Sequence, residues 1–420
     1  MPKSVKSKTS PLSIQQNIIW NSLGNFVYLV SQWLLTYVVV RVQGYGPAGI
    51  FSLAMSVGNS LNAVATYTMR NYQVSDIEGE YSDRQYILSR YVTSVISFIA
   101  CLVFCSFNEY PSNTFLCITF YMIFKISEAL SDVYQAIYQR VSRMDYIGKA
   151  YIAKSILNFC FFFGVLCATS NLLAAIVALC CASYIVVIFY ERHEVGSFAS
   201  HPATVLSFDQ DMRQVKKLLL VCLPVALYGL FFNTMGQVPR YVLELLKGED
   251  ALGVYTSVAM PVTLVQVSAN YLFAPLTAPL ASCFTRHDVR GFYRLFWKAI
   301  GAIAIISIAA FVGFGVAGKP VMILLFGESI EPHLYLLNPL ILCSILVALS
   351  WFLSAALTVV RKLVAQLVLS VVSFSVSCVT SFLFIIVFGM NGVTFSYIAA
   401  LLVFAVGGFC ILLSSIKGGK

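Results

Sequence analysis

Charged side chains are scarce in this sequence. Only 11% of its 420 residues are Asp, Glu, Lys or Arg, whereas soluble domains carry about 25%. The hydrophobic residues make up 59% of the chain, and the mean hydropathy is +0.83. A soluble fold of this composition would expose more apolar surface than water tolerates, which excludes soluble globular, disordered, collagen-like and disulfide-rich secreted proteins. The class that remains is a polytopic membrane protein.

The motifs of common enzymes are also missing. The sequence contains no Walker A motif, no HExxH and no GxSxG, so it offers neither a nucleotide-binding loop nor a recognisable catalytic constellation. The 12 cysteines include no CxxC pair, and the four histidines lie in or beside predicted loops. We therefore interpret the cysteines as packing residues and predict no metal site, no cofactor and no catalytic residue. Any uphill transport by such a chain would have to be coupled to an ion gradient or driven by removal of the product.

Long apolar runs dominate the sequence. Each is long enough to cross a hydrocarbon core of about 30 Å as a helix, and none shows the alternation of barrel strands. They lie at 17–40, 45–66, 90–107, 114–138, 150–168, 172–190, 218–239, 251–275, 298–317, 335–357, 363–387 and 390–413. The sequence therefore predicts an all-α polytopic membrane protein with twelve transmembrane helices and a tight hairpin at 170–171.

The lysines and arginines indicate the orientation. An even number of spans places both termini on one side, and 22 of the 27 Lys and Arg residues fall on that side. The other side carries Arg41, Arg240, Lys247 and Lys319, and Lys125 lies inside a span. By the positive-inside rule, both termini are predicted to be cytoplasmic. The net charge of +9 is then explained by loop anchoring, without nucleic acid.

The chain reads as two halves. The longest cytoplasmic connection, 191–217, separates six spans in 1–190 from six in 218–420. At an offset of 204 residues, the segment 44–52 matches 248–256, and both copies read G-x4-G-[IV]-aromatic-hydroxyl. The same offset matches Arg90 with Arg294. The alternative to an internal repeat is that this match is a chance similarity between two apolar hairpins. Two pseudo-symmetric six-helix bundles around a central cavity are typical of transporters with alternating access.

The fourth predicted span carries the sharpest polar stripe. Six polar residues lie within about 80° on one helix face: Tyr121, Lys125, Glu128, Asp132, Gln135 and Gln139. Each ionisable group would cost about 2.5–3.5 kcal/mol in the middle of the bilayer if it faced lipid, so the stripe faces inward. Lys125 can pair with Glu128 at i, i+3, which leaves Asp132 for another partner or a proton. A neutralised lock between helices and the wall of a hydrated cavity both fit this pattern.

Weaker polar faces occur on other spans. They include Asn17, Asn21, Asn25, Tyr28, Gln32 and Thr36 on the first; Asn233, Gln237, Arg240 and Glu244 on the seventh; Thr263, Gln266 and Asn270 on the eighth; and Gln366, Ser370, Ser373, Ser377 and Thr380 on the eleventh. The hydroxyl stripe of the eleventh span favours helix packing. For the others, interhelical hydrogen bonding stays open beside a cavity role. Snorkelling of Arg240 and simple anchoring by Arg70 stay open as well.

Three motifs carry a resemblance to a known family. The opening N-x3-N-x3-N stripe, the turn GYGPAGIFSLAMSV and its partner GEDALGVYTSVAMPV resemble the polysaccharide transporters of the multidrug/oligosaccharidyl-lipid/polysaccharide (MOP) superfamily, and most of all Wzx-type O-antigen flippases. The resemblance implies a V-shaped pair of bundles around a charged cavity. It also implies lipopolysaccharide biosynthesis: an undecaprenyl-pyrophosphate-linked oligosaccharide would move from the cytoplasmic to the periplasmic leaflet of a bacterial inner membrane.

The resemblance also assigns expected roles. Lys125, Arg240 and Arg70 would meet the anionic substrate, and Glu128 or Asp132 would tune them or carry a proton. The remaining cavity residues would be Asn21, Asn25, Gln237 and Asn270. Expected partners are the lipid-linked oligosaccharide, membrane lipids, a proton or sodium ion for coupling, and polysaccharide polymerase and chain-length proteins.

Two other functions are alternatives to a flippase. A membrane-embedded polymerase or ligase usually has a large periplasmic loop, whereas the longest outer loop here is about 316–334, with few titratable groups. A MATE-like exporter of drugs or lipid II is the second alternative. The asparagines of the first span stand where some drug-exporting relatives have an acidic cation site.

Overall fold

The computed structural model describes residues 12–76, 79–196, 208–273 and 277–417. Within these ranges the regular elements are all helical, and no strand occurs. Eleven of the helices are long and apolar enough to cross a membrane. The predicted class, an all-α polytopic membrane protein, is therefore confirmed.

Eight helices and one π-helical turn form the first part of the chain. They are α1 (Ile14–Gln43), α2 (Tyr45–Thr66), α3 (Arg70–Ser75), α4 (Asp83–Phe107), α5 (Ser112–Arg140), α6 (Met144–Thr169), α7 (Leu172–Val186), the π-helical turn Val187–Glu191 and α8 (Arg192–Val195).

Eight further helices and one 3-10 helix follow. They are α9 (Phe208–Thr234), α10 (Val238–Lys247), α11 (Glu249–Phe273), α12 (Thr277–Thr285), α13 (Val289–Phe326), the 3-10 helix Glu328–Leu336, α14 (Leu337–Val359), α15 (Leu363–Phe388) and α16 (Asn391–Lys417).

The predicted spans match these helices, although several helices start earlier than the apolar runs. Helix α4, predicted from 90, begins at Asp83 because Ser82 and Gln85 form a capping box there. The predicted hairpin is present: Ser170 adopts a left-handed conformation that ends α6, and the side chain of Asn171 caps α7. Helix α11 covers the predicted span 251–275 as far as residue 273 but is not among the eleven apolar helices.

Close packing divides the chain into two units. Unit 1 comprises Met1–Val42 and Val57–Gly229. Its hydrophobic core is rich in tyrosine, including Tyr81, Tyr86 and Tyr138, all almost fully buried. Ordinary packing therefore accounts for many of the tyrosines of this unit.

Unit 2 comprises Gln43–Ser56 and Leu230–Lys420. Its larger core packs Phe292 and Phe296 of α13 against Phe352 of α14. A second cluster gathers around Met235 and Leu401. Helix α2 thus contributes its first residues to unit 2 and its later residues to unit 1.

The repeat found in the sequence is visible inside unit 2, where the start of α2 crosses α11. The hydroxyls of Ser52 and Thr256 are 2.5 Å apart, and these two residues correspond at the offset of 204. A residue that touches its own repeat equivalent lies on the local two-fold axis between the copies.

The glycines at this crossing repeat the same relation. A Cβ on Gly49 would run into the carbonyl oxygen of Glu249, and a Cβ on Gly253 would run into that of Tyr45. The offset of 204 relates Gly49 to Gly253 and Tyr45 to Glu249, so each contact is the repeat equivalent of the other. Such reciprocal contacts are typical of a two-fold relation. Close backbone approach therefore explains the two glycines, Gly49 and Gly253, that the copies of the motif share.

Candidate functional site: a charged face in unit 1

The polar stripe of α5 holds an ion pair. Lys125 Nζ lies 2.7 Å from Glu128 Oε2, with 12% and 17% of the two side chains exposed. The ammonium also lies 5.8 Å and 5.6 Å from the ring centroids of Tyr121 and Phe124, within the range of cation–π attraction. The pairing predicted from the i, i+3 spacing is thus present, and the pair is only partly open to the surroundings.

Asp132, one turn further along α5, is shared by two arginines. Arg90 Nη2 on α4 lies 2.9 Å from Asp132 Oδ2, and Arg70 Nη1 on α3 lies 3.4 Å from Asp132 Oδ1. Arg90 is 2% exposed, whereas Arg70 is 27% exposed. Arg70 also donates to Gln139 at 3.0 Å and to Gln135 at 3.3 Å. This cluster carries two positive charges for one negative charge.

A third ion pair lies deeper in unit 1. Lys154 Nζ on α6 is 3.1 Å from Glu191 Oε2 in the π-helical turn, and both side chains are essentially unexposed. Ser131 contacts both groups, and Gln135 Nε2 donates to Glu191 Oε1 at 3.2 Å. The hydrogen-bonding capacity of the buried carboxylate is therefore well used, as a buried charge requires.

Two of these cations have surroundings that differ from the sequence-based prediction. Arg90 and Lys154 were expected among the cytoplasmic loop anchors, which is wrong because both are buried in helices. The partners that neutralise them, Asp132 and Glu191, lie more than thirty residues away along the chain. Lys154 falls inside the predicted fifth span, and a lysine within a span was the signal that could have identified it.

The polar stripe of α1 has two different ends. Asn17 is structural, because its side chain donates to Ser142 O at 3.0 Å and accepts from the backbone N–H of Met144 at 2.8 Å. These bonds fix the start of α1 to the start of α6. Asn21 and Asn25 lie next, half-buried, and Asn25 Nδ2 donates to Asn21 O at 2.7 Å.

Further along α1, two polar atoms lack partners. The Tyr28 hydroxyl and Gln32 Nε2 are buried and have no hydrogen-bond partner among the described residues. Tyr28 packs against Tyr151 of α6, with ring centroids 5.2 Å apart. This end of the stripe therefore presents hydrogen-bonding groups that the surrounding protein does not use.

In unit 2, the predicted residues lie at a break between α9 and α10. Helix α9 ends at Thr234, and Pro239 occupies the first turn of α10, so the predicted span 218–239 is divided between two helices. Arg240 is half-buried within electrostatic range of Tyr255 and Tyr397, and no carboxylate of the described residues forms an ion pair with it. Gln237 Oε1, at the break itself, is buried without a described partner.

The structure brings some of the predicted site residues into contact, whereas the side chain of another lies outside the described residues. In unit 1 the structure joins Lys125 with Glu128 and Asp132 with Arg70. Asn270 belongs to α11, but its side chain lies outside the described residues. Among the residues that could be searched, no group of three or more His, Cys, Asp or Glu could hold a metal ion. Within the Asp132 cluster, Arg70 is the more exposed of the two arginines, and its guanidinium can bind an oxyanion.

Comparisons with known proteins agree on one group. The sequence profile described as "Polysaccharide biosynthesis protein" matches residues 14–282, more than half of the chain. The capsular polysaccharide biosynthesis protein CapF of Staphylococcus aureus is 20% identical over 316 residues, covering 75% of this chain and 78% of that protein.

Solved structures share the fold. A variant of the Vibrio cholerae MATE transporter VcmN is 14% identical, with a TM-score of 0.66 over 96% of this chain and 95% of that one. A MOP superfamily transporter of Pyrococcus furiosus, described as having a binding pocket of reversed polarity, is 15% identical, with a TM-score of 0.64 over 98% of each chain. Likeness at this level of identity shows a shared fold, and the eleven long apolar helices show a multi-pass membrane protein. By the match of the sequence profile, the chain belongs to the polysaccharide biosynthesis protein family.

Proposed function

We propose that this protein is a transporter, and specifically a flippase for an undecaprenyl-pyrophosphate-linked oligosaccharide. The lipid-linked repeat unit would pass by alternating access from the cytoplasmic to the periplasmic leaflet of a bacterial inner membrane, with both termini of the protein in the cytoplasm. The sugar and pyrophosphate face a severe desolvation cost in hydrocarbon. A polar protein face can replace their hydration while the prenyl tail stays in lipid.

The observation that carries this proposal is the surplus cation beside Asp132. Arg90 and Arg70 share one carboxylate, and the partly exposed Arg70 makes the longer of the two ion-pair contacts. A guanidinium in this state can offer its fork to a phosphate or carboxylate. Lys125 is a second candidate in unit 1, and Arg240, unpaired among the described residues, is a candidate in unit 2.

The neutral groups of α1 support a saccharide ligand. The unused Tyr28 hydroxyl and Gln32 amide belong to the same helix face as Asn21 and Asn25. Hydroxyls and amides of this kind match the donors and acceptors of sugar rings. Gln237 adds an unused amide oxygen in unit 2.

Coupling to a proton or sodium gradient completes the proposal. Glu128 and Asp132 are the only carboxylates on the α5 stripe, and both are partly exposed, so either can exchange a proton. A polysaccharide polymerase and a chain-length protein would act on the product at the periplasmic face.

Deletion of the protein followed by lipid analysis tests the proposal. Complete lipid-linked repeat units retained in the inner leaflet would support a flippase. Single repeat units that reach the periplasm without polymerising would instead indicate a polymerase, and increased drug sensitivity with normal polysaccharide would indicate a drug exporter.

Substitutions refine this test at matched protein levels. Lys125→Ala and Arg240→Ala are expected to reduce surface polysaccharide. Lys319→Ala on α13 is the control, because Lys319 is an exposed cation paired only with Glu331 among the described residues. Unchanged polysaccharide in both Lys125→Ala and Arg240→Ala would remove these two residues from the site.

A further inference from the structure

The two arginines on Asp132 differ in their freedom to move. Arg90 is enclosed by protein, and its second Nη atom donates to the carbonyl of Ala65 near the end of α2, at 3.1 Å. Arg70 lies on the short helix α3, and its contact with Asp132 is 0.5 Å longer than that of Arg90, at 3.4 Å against 2.9 Å. A buried guanidinium cannot leave its carboxylate without a large desolvation cost, whereas a partly exposed one can.

This asymmetry controls what Arg70 can bind. A carboxylate with no other cation would engage the guanidinium of Arg70 in a bidentate pair, the strongest arrangement available to it. The charge of Asp132 is instead largely satisfied by Arg90. Asp132 therefore holds the guanidinium of Arg70 through only one long contact. The other contacts of Arg70 are to the neutral side-chain amides of Gln139 and Gln135.

We propose that Arg90 is a positioning residue that keeps Arg70 available for the substrate. Arg90 holds Asp132, and Arg70 exchanges its contact with Asp132 for an oxyanion of the ligand. This inference rests on the proposed flippase function. The oxyanion belongs either to the pyrophosphate of the lipid carrier or to the carboxylate of an acidic sugar, because a guanidinium recognises both.

Titration of the purified full-length protein in detergent tests the inference, with inorganic pyrophosphate and glucuronate as separate probes. Arg70→Gln is expected to weaken binding of the preferred probe about tenfold or more, the loss of a charged hydrogen bond. Arg90→Gln is expected to weaken binding by about the same factor, although Arg90 does not touch the probe, because Asp132 then captures Arg70. Arg294→Gln, at the repeat equivalent of Arg90, is the control because Arg294 is exposed.

A rescue variant separates positioning from a structural role. Arg90→Gln combined with Asp132→Asn removes both charges, and binding is expected to return to within about threefold of the unmodified protein. If Arg90→Gln does not fold, Asp132→Asn alone gives an independent test. It removes the competitor of Arg70, so the probe is expected to bind more tightly.

The outcomes distinguish two failures. If Arg70→Gln abolishes both probe binding and polysaccharide export, while Arg90→Gln and Asp132→Asn bind as the unmodified protein does, the positioning role is wrong and the flippase proposal stands. If the unmodified protein binds neither probe, the exchange is wrong. If Arg70→Gln also exports polysaccharide normally, the observation behind the proposed function fails as well.

Discussion

The two units hold their helices together with different chemistry. In unit 1, α5, α6 and the π-helical turn contain seven charged residues that are buried or half-buried: Lys125, Glu128, Asp132, Arg140, Asp145, Lys154 and Glu191. In unit 2, α14 and α15 contain no charged residue, and buried serines such as Ser373 and Ser377 line the helix contacts instead. Unit 2 shows that helices of this fold pack without internal charges. The charges of unit 1 therefore call for a role beyond packing.

The two arginines that correspond at the offset of 204 show the same difference between the units. Arg90 and Arg294 correspond in sequence and stand near the starts of α4 and α13. Arg90 is buried against Asp132, whereas Arg294 is exposed. The same residue type therefore has different surroundings in the two copies, and of the two arginines only Arg90 forms an ion pair among the described residues.

The largest expected effect comes from breaking the deepest pair of unit 1. Glu191→Leu leaves the ammonium of Lys154 buried without a counter-charge, and we expect it to destabilise the protein by about 3–5 kcal/mol. Adding Lys154→Met should recover most of that loss, because no uncompensated charge would then stay buried at this contact. Thermal unfolding in detergent measures both variants. Equal stability of Glu191→Leu and the unmodified protein would contradict the structural importance of this pair.

The next effect concerns the crossing of α2 and α11, where the two copies of the repeat behave alike. Gly49→Ala and Gly253→Ala each force a Cβ against a backbone carbonyl, and we expect each to cost about 1–3 kcal/mol. Gly301→Ala on α13 is the matched control, since a Cβ there meets nothing within 4 Å. Unfolding curves that show one glycine tolerant and the other intolerant would argue against the local two-fold relation.

A smaller effect is expected for the hydroxyl stripe of unit 2. Ser377 donates to the carbonyl of Met235 at 2.7 Å, and side-chain hydrogen bonds between membrane helices contribute about 0.6 kcal/mol on average. Ser377→Ala should therefore lower stability slightly and leave polysaccharide export unchanged. Export lost at normal protein levels would show that this stripe has more than a packing role.

The smallest effect concerns a polar loop of unit 1 outside the spans. Burial opposes the charge of Asp76, but N–H groups of Tyr81 and Glu80 and the Tyr86 hydroxyl donate to its carboxylate and hold its pKa below 3.8. Because the folded-state pKa is lowered, this stabilisation is present at neutral pH and is lost as the pH falls below about 4. Asp76→Asn should lower the melting temperature by about 1–2 °C at pH 7 and by less at pH 3. An equal difference at both pH values would contradict the assignment.

Local patterns predicted much of this molecule. The length of the apolar runs predicted the membrane helices, and the very short connection between two of these runs predicted the hairpin at Ser170 and Asn171. The i, i+3 spacing gave the pair of Lys125 and Glu128. Each of these depends on residues close in sequence, for which helix geometry fixes the distance.

Long-range pairing could not be obtained in this way. Asp132 was recognised as lacking a local partner, but nothing in the spacing points to Arg90 or Arg70 on other helices. Lys154 and Glu191 escaped notice for the same reason. Asn17 was grouped with the other polar residues of α1 because it shares their face, and only the contacts with Ser142 and Met144 reveal its capping role. The division of the halves at 191–217 stays a prediction.

Reconstitution tests the central claim most directly. The purified protein would be placed in vesicles with a fluorescent undecaprenyl-pyrophosphate-linked oligosaccharide, and a glycosidase added outside would report the accessible fraction over time. We expect the unmodified protein, with an ion gradient, to expose the inner pool, and Arg70→Gln to do so about tenfold more slowly. Exposure no faster than in protein-free vesicles would contradict the flippase function.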